Sequence, residues 1–111
     1  MVTYFQDTIF STSELTATGL GTLVDVAVNN FFSTSNYTMI VSVANHGGNV
    51  TVRLDGSIDG TNFAPIIGAQ TISSSDPVVF SVSGRPVKQI RPNVTAIASG
   101  SPTITISVAA N

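Results

Sequence analysis

The sequence predicts an all-β fold, a single antiparallel β-sandwich of roughly seven to nine short strands. Three observations predict it: apolar and polar residues alternate with period two, Val, Ile and Thr dominate the alternating runs, and turn-forming clusters separate them. Period-two alternation places one face of each strand in a core and the other face outside. Because β-branched side chains fit a pleated surface and no 3.6-residue apolar stripe is present, helices are not expected. A chain of 111 residues suffices for one domain with one core.

The first predicted element is the N-terminal segment, residues 1–13, which is more apolar than a surface tail requires. It contains Tyr4, Phe5, Ile9 and Phe10. The segment is either an arm that reaches onto a neighbouring subunit or the first edge strand of the sandwich, and pairing within the domain is the default for consecutive segments. Residues 14–111 are predicted to form the sandwich itself.

The strands that follow are predicted from five alternating runs. Each run presents apolar residues to one face and mostly polar residues to the other, so each strand is expected to be half buried. Tyr37 falls on the apolar side of its run and is predicted to lie in the core. The runs cover residues 24–28, 37–44, 50–55, 78–83 and 103–108.

Turn-forming residues separate these runs, and Gly, Asn, Asp, Ser and Pro dominate them. Residues 45–49 are predicted to form a hairpin loop with Gly at positive φ, and residues 98–102 are predicted to form the last hairpin. The other predicted turns are residues 59–62, 73–77 and 83–86. Short strands with this spacing are typical of a sandwich, in which the strand order of a jelly roll and that of an immunoglobulin-like domain both stay open.

Composition favours a protein that works inside an assembly. Only 9% of the residues are charged and the net charge is -2, so little electrostatic repulsion keeps copies apart. The acidic balance argues against nucleic acid as the main partner. The chain has no cysteine, no signal-peptide pattern at its start and no apolar run of about 20 residues. We therefore expect synthesis in the cytoplasm and no contact with a membrane.

Catalytic and metal-binding residues are not expected, and neither is a cofactor. The single histidine, His46, lies in a Gly-rich loop without the nucleophile and carboxylate that a general base requires. Residues 55–62 begin like a calcium loop, but the twelfth position is Ile66 instead of a bidentate Glu. The alternative is a plain turn, in which Ser57 and Ile58 end a strand and Asp59 begins the reversal. The sequence therefore predicts a protein that is not an enzyme.

Two segments resemble small virion proteins of tailed bacteriophages. Residues 52–63, VRLDGSIDGTNF, are similar to a strand, turn and return strand that recur in those proteins, and residues 90–95 and 100–106 are similar to their closing part. The resemblance spans roughly residues 50–108, and its motifs are moderately specific. It implies a β-sandwich component of a virion.

Among such proteins, a chain of this size is most similar to a capsid decoration (cement) protein, which sits on the shell and bridges capsid subunits. The resemblance implies the major capsid protein as a partner, a homotrimer and a location on the capsid surface. From the residues themselves, we expect the interface to include Tyr4, Phe5, Ile9 and Phe10, with Arg85, Lys88 and Arg91 as polar contacts; pairing of these basic residues within the chain is the alternative. A tail or fibre module and a carbohydrate-binding module remain alternative functions.

Overall fold

The computed structural model describes residues 9–27 and 32–111 and confirms the all-β sandwich. Every regular element in this part of the chain is a strand. The strands are β1 (Ile9–Leu15), β2 (Gly19–Leu20), β3 (Val24–Asp25), β4 (Tyr37–Ala44), β5 (Val50–Ser57), β6 (Ala64–Ile72), β7 (Val78–Val82), β8 (Gln89–Ile97) and β9 (Thr103–Ala110).

The strands form two antiparallel sheets whose order is that of a jelly roll. The four-stranded sheet has the order β1-β9-β4-β7, and the five-stranded sheet has the order β2-β8-β5-β6 with β3 also paired to β8. Because β2 and β3 pair with successive parts of β8, they act as one interrupted edge strand. Counted that way, eight strands are divided four and four between the sheets in the order of a jelly roll, and the immunoglobulin-like alternative is excluded.

The core lies between the sheets and follows the predicted alternation. The inward side chains of β4 and β9 are buried at every second position, and those of β5 pack against them from the other sheet. Burying one such side chain contributes about 1.5–3 kcal/mol, so these rows are the main source of stability. The inward residues of these three strands are Tyr37, Met39, Val41, Val43, Val50, Val52, Leu54, Ile104, Ile106, Val108 and Ala110.

Tyr37 is buried, as predicted, and its hydroxyl group ties two connections to the core. It donates to the carbonyl oxygen of Thr34 at 3.1 Å, lies 3.0 Å from the Thr34 hydroxyl and accepts the backbone N–H of Val87 at 3.2 Å. The Thr34 hydroxyl in turn donates to the carbonyl of Val26 at 2.9 Å. Buried polar groups need such partners, and the hydroxyl groups of Tyr37 and Thr34 find theirs within the chain.

Two of the predicted hairpins are wrong, because their loops cross between the sheets. The loop at residues 45–49 joins β4 to β5, and the loop at residues 98–102 joins β8 to β9, and in both cases the two strands belong to different sheets. The only consecutive strands that pair among those described are β5 and β6, joined by the predicted turn at residues 59–62. Turn-forming residues predict that the chain reverses, but they do not specify which sheet the next strand joins.

The two crossing loops pack against each other, which explains their glycines. Positive φ in the first loop occurs at Asn45, at 57°, and not at its glycines. Gly47 instead allows a close approach, because a Cβ atom there would lie 3.2 Å from the Cα atom of Gly100. The hydroxyl group of Ser99 also donates to the carbonyl of Gly47 at 2.7 Å, so the loops close one end of the sandwich together.

The part of the N-terminal segment that the structure describes lies in an edge strand. β1 pairs with β9 along its whole length, from Ile9 opposite Ala110 to Leu15 opposite Ile104. Residues 9–13 therefore belong to a strand of this chain's own sandwich that continues to Leu15. Tyr4 and Phe5 lie outside the described residues.

Candidate interaction face

The outward side of the four-stranded sheet is a broad surface with almost no charge. Strand register places its side chains in rows, such as Phe10, Ala109, Thr38 and Ser81, and the next row runs through Ile40. Hydroxyl, methyl and apolar groups cover it, and Glu14 is its single charged residue among those described. We call this surface the outer face. It consists of Phe10, Thr12, Glu14, Thr38, Ile40, Ser42, Ala44, Val79, Ser81, Thr103, Thr105, Ser107 and Ala109.

Three large apolar side chains are exposed on the outer face. Phe10 is 68% exposed, Val79 is 60% exposed and Ile40 is 41% exposed. Ile40 lies opposite both Ser107 and Val79, near the middle of the sheet. Single exposed apolar residues are common, but several on one uncharged sheet face are typical of a surface that another protein covers.

The outward side of the five-stranded sheet is different, because it carries charged residues that pair with one another. Arg53 forms an ion pair with Asp55, with 2.8 Å between Nε and Oδ1, and Asn93 donates to the other carboxylate oxygen at 3.1 Å. Asp55 is only 2% exposed, so these partners compensate a carboxylate that water hardly reaches. Gln89 donates to Asp25 at 2.7 Å on the same side. This polar network already satisfies much of that surface within the chain.

The three basic residues predicted as contacts do not form one patch. Arg91 lies on the five-stranded sheet opposite Asp55, and its guanidinium stacks 3.8 Å from the centre of the Phe63 ring. Arg85 and Lys88 lie in the connection that crosses from β7 to β8. The backbone N–H of Lys88 donates a hydrogen bond to the carbonyl of Ser57, and its carbonyl accepts one from the N–H of Val26. Lys88 therefore flanks the five-stranded sheet.

Arg85 lies at the same end of the sandwich as Phe10. Its backbone N–H donates to Ser35, and its side chain is exposed and lines an open cleft with Asn36, Thr38 and Ser81. Because Phe10, Ala109, Thr38 and Ser81 are register partners, three strand spacings, about 14 Å, separate the position of Phe10 from this cleft. Of the predicted contact residues, these two are therefore placed on or beside the outer face.

The segment that resembles a phage motif is a tight turn held by Asp59, as its turn chemistry predicts. One oxygen of this carboxylate accepts the backbone N–H groups of Thr61 and Asn62, both at 2.8 Å, and the hydroxyl of Ser57 at 2.9 Å. The side chain of Asn62 donates to the other oxygen at 2.8 Å. These donors, the backbone N–H of Asn62 above all, hold the pKa of Asp59 well below its usual range. Asp59 therefore organises the turn instead of forming part of a calcium loop.

The described residues offer little support for an acid–base or metal-binding site. The ring of His46 meets the carbonyl of Ile72 at 3.2 Å, which ties its loop to β6. Across residues 9–27 and 32–111, no three His, Cys, Asp or Glu side chains cluster in a way that could hold a metal ion. The same part of the chain contains no helix with the length and hydropathy that crossing a membrane requires.

Sequence reasoning did not single out Ile40, Val79 or their polar neighbours as interface candidates. The alternating runs show that these residues point away from the core, because each lies between inward neighbours. Alternation does not predict the sheet order, and it is this order that brings β1, β9, β4 and β7 together into one face. A count of charge on the outward positions of each run is the signal that could have found them.

Comparison with known proteins supports the fold. No family model and no curated protein matches the sequence of this chain. The crystal structure of the SPBc2 prophage-derived protein YomS matches with a TM-score of 0.66 and 7% identity, over 100% of this chain and 99% of that one. Pili of the Bacillus endospore appendages match with a TM-score of 0.46 (11% identity, 94% and 88% coverage), and the Tobacco streak virus coat protein with 0.33 (8% identity, 98% and 90% coverage). The first likeness extends over both whole chains and shows that they share a fold.

Proposed function

We propose that this chain is a non-enzymatic structural protein of a phage particle, and specifically a decoration protein that bridges subunits of the capsid shell. The observation that carries the proposal is the outer face, a whole sheet surface with one charged residue. A protein that works free in solution gains solubility from charge on such a surface, whereas a protein that neighbours cover gains nothing from it.

Two further observations support a phage particle. The fold extends over the whole length of a prophage-derived protein, although 7% identity carries no residue from one chain to the other. The turn at residues 52–63, which resembles a phage virion motif, forms a hairpin whose geometry is fixed by Asp59. Fold alone does not specify function, so the surface chemistry and this turn are needed beside it.

In this proposal, the shell contacts the end of the sandwich where Phe10 and Arg85 lie. Tyr4, Phe5 and Ile9, which precede Phe10 in the sequence, belong to the same proposed contact, and Lys88 adds a cation on the connection that carries Arg85. Each copy buries a modest area, and many copies on one shell together resist its expansion, since repeated weak contacts add up. Arg91 contributes less, because its guanidinium already stacks on Phe63.

The test is to find the protein in particles. The strain that encodes the chain is induced, the particles are purified by density gradient, and the amount of this chain relative to the major capsid protein is measured by mass spectrometry. Gold-labelled antibody fragments then show its position by electron microscopy. We expect many copies per particle and label on heads.

Particles from a deletion strain provide the functional comparison. We expect heads without this chain to lose DNA at a lower temperature than wild-type heads, and heads with the purified protein added back to recover. Label on tails would replace the decoration role with a tail role. Absence of the chain from purified particles would overturn the whole proposal.

A further inference from the structure

We propose that the outer face binds the outer face of a second copy of this chain, so that two sandwiches pack sheet against sheet in a symmetric pair. The charge, the area and the shape of this one surface support the pair. Both proposals treat the outer face as a covered surface, but their tests are separate: a protein that pairs in solution but is absent from particles would keep the pairing and lose the proposed function.

Charge is the first argument. In a symmetric pair the same patch meets itself, so a patch that carries charge of one sign repels its copy. The outer face carries only Glu14, on the edge strand β1, and its central strands β9 and β4 carry no charge. The opposite side of the sandwich carries Arg53, Asp55 and Arg91. A partner with a strongly charged surface would find nothing complementary on the outer face, whereas a second copy meets no repulsion.

Area is the second argument. The sheet consists of strands of 7, 8, 8 and 5 residues. Each residue occupies about 3.3 Å along the strand and 4.8 Å across it, so the face projects to about 450 Å². Side chains and pleating make the accessible area larger than this projection. Two copies would therefore bury more than about 900 Å² in total, which approaches the lower end of specific, stable interfaces.

The shape and composition of the face fit a packed pair. Sheets pack face to face about 10 Å apart with their strands about 30° from parallel, so a twisted sheet can pack on a copy of itself. Ile40 on the inner strand β4 lies beside Val79 on the edge strand β7, and together they supply an apolar anchor. Next to them, hydroxyl groups such as those of Thr12 and Ser107, 3.2 Å apart, can exchange hydrogen bonds with the partner.

The test compares two matched substitutions on opposite sides of the sandwich. Thr38→Lys places a cation on the outer face in β4, opposite the uncharged Ala109 and Ser81, and Thr71→Lys places the same cation on the outward side of the other sheet in β6. Sedimentation velocity from about 1 to 500 μM measures the mass of the purified chain. A pair has about 23 kDa, twice the 11.5 kDa of one chain. For an interface of this size we expect a dissociation constant in the micromolar range.

We expect Thr38→Lys to weaken pairing by roughly 100-fold, because two lysines would be buried without acidic partners, and Thr71→Lys to leave it unchanged. Ile40→Lys is a second variant on the same face and should act in the same direction. Circular dichroism and melting temperature check that each variant is folded. A wild-type chain that stays monomeric at every concentration, a trimer, as the resemblance to decoration proteins implies, or equal weakening by both threonine variants would overturn the inference.

Discussion

The hydroxyl group of Tyr37 offers a sharp test of how the sandwich is stabilised. Its oxygen accepts the backbone N–H of Val87 at 3.2 Å and is the donor to the carbonyl of Thr34 at 3.1 Å, and the ring is only 1% exposed. Tyr37→Phe removes this group and leaves the ring in place. The buried Val87 N–H then loses its acceptor.

The expected loss is about 2–4 kcal/mol of unfolding free energy. An unsatisfied buried donor costs about 1–3 kcal/mol, and the bond to Thr34 contributes about 1 kcal/mol more. The unfolding entropy is about 2.1 cal/mol/K per residue, or about 0.23 kcal/mol/K for 111 residues. The melting temperature should therefore fall by roughly 9–17 °C.

Urea unfolding followed by far-UV circular dichroism measures the loss. Fluorescence is less suitable, because the chain has no Trp and Tyr37 is one of only two tyrosines. Ser81→Ala, which removes an exposed hydroxyl group on β7, is the control and should change stability by less than about 0.5 kcal/mol.

A double-mutant cycle with Thr34→Val isolates the contact between the two side chains, which lie 3.0 Å apart. We expect a coupling energy of about 0.5–1.5 kcal/mol. A loss below about 1 kcal/mol for Tyr37→Phe, together with no coupling to Thr34, would refute the view that this hydroxyl cluster holds the connections to the core.

Three further substitutions test other parts of the structure. Asp59→Asn should reduce stability at pH 7. Because the pKa of Asp59 is depressed in the folded state, the ionised carboxylate stabilises the fold above its ordinary pKa of about 3.9, and this stabilisation is lost as the pH falls further. Urea titrations should therefore show the stabilities of the two proteins converging below about pH 4. Phe63→Leu should cost about 1 kcal/mol by removing the ring under Arg91, and an equal cost in an Arg91→Gln background would contradict this. Gly21→Ala should cost about 1–3 kcal/mol in thermal unfolding, because the new Cβ would lie 2.6 Å from a proline ring, whereas Gly68→Ala, with open space around it, should cost less than about 1 kcal/mol.

Alternation predicted five of the strands, but it missed β6 and β8 and could not predict the arrangement of the sheets. Alternation correctly placed Tyr37 and its inward neighbours in the core, and turn chemistry correctly made Asp59 the start of a reversal. The loop that contains His46 has equally strong turn residues, yet it connects two sheets. The difference is physical: a hairpin and a crossing loop both need a sharp reversal, but the strand after it joins whichever edge the rest of the chain leaves available.

The same limit explains why the outer face was not found from the sequence. Each of its strands looks ordinary alone, since β4 alternates Met39 with Ile40 and β9 alternates Ile104 with Thr105. The lack of charge becomes informative only when β9 is inserted between β1 and β4, because then the uncharged positions of separate runs become neighbours. Nearly all charge is left on the other sheet, the turns and the connections. The low charge of the composition predicted that neighbours cover a part of this protein. The jelly-roll order determines which part of the surface they can cover.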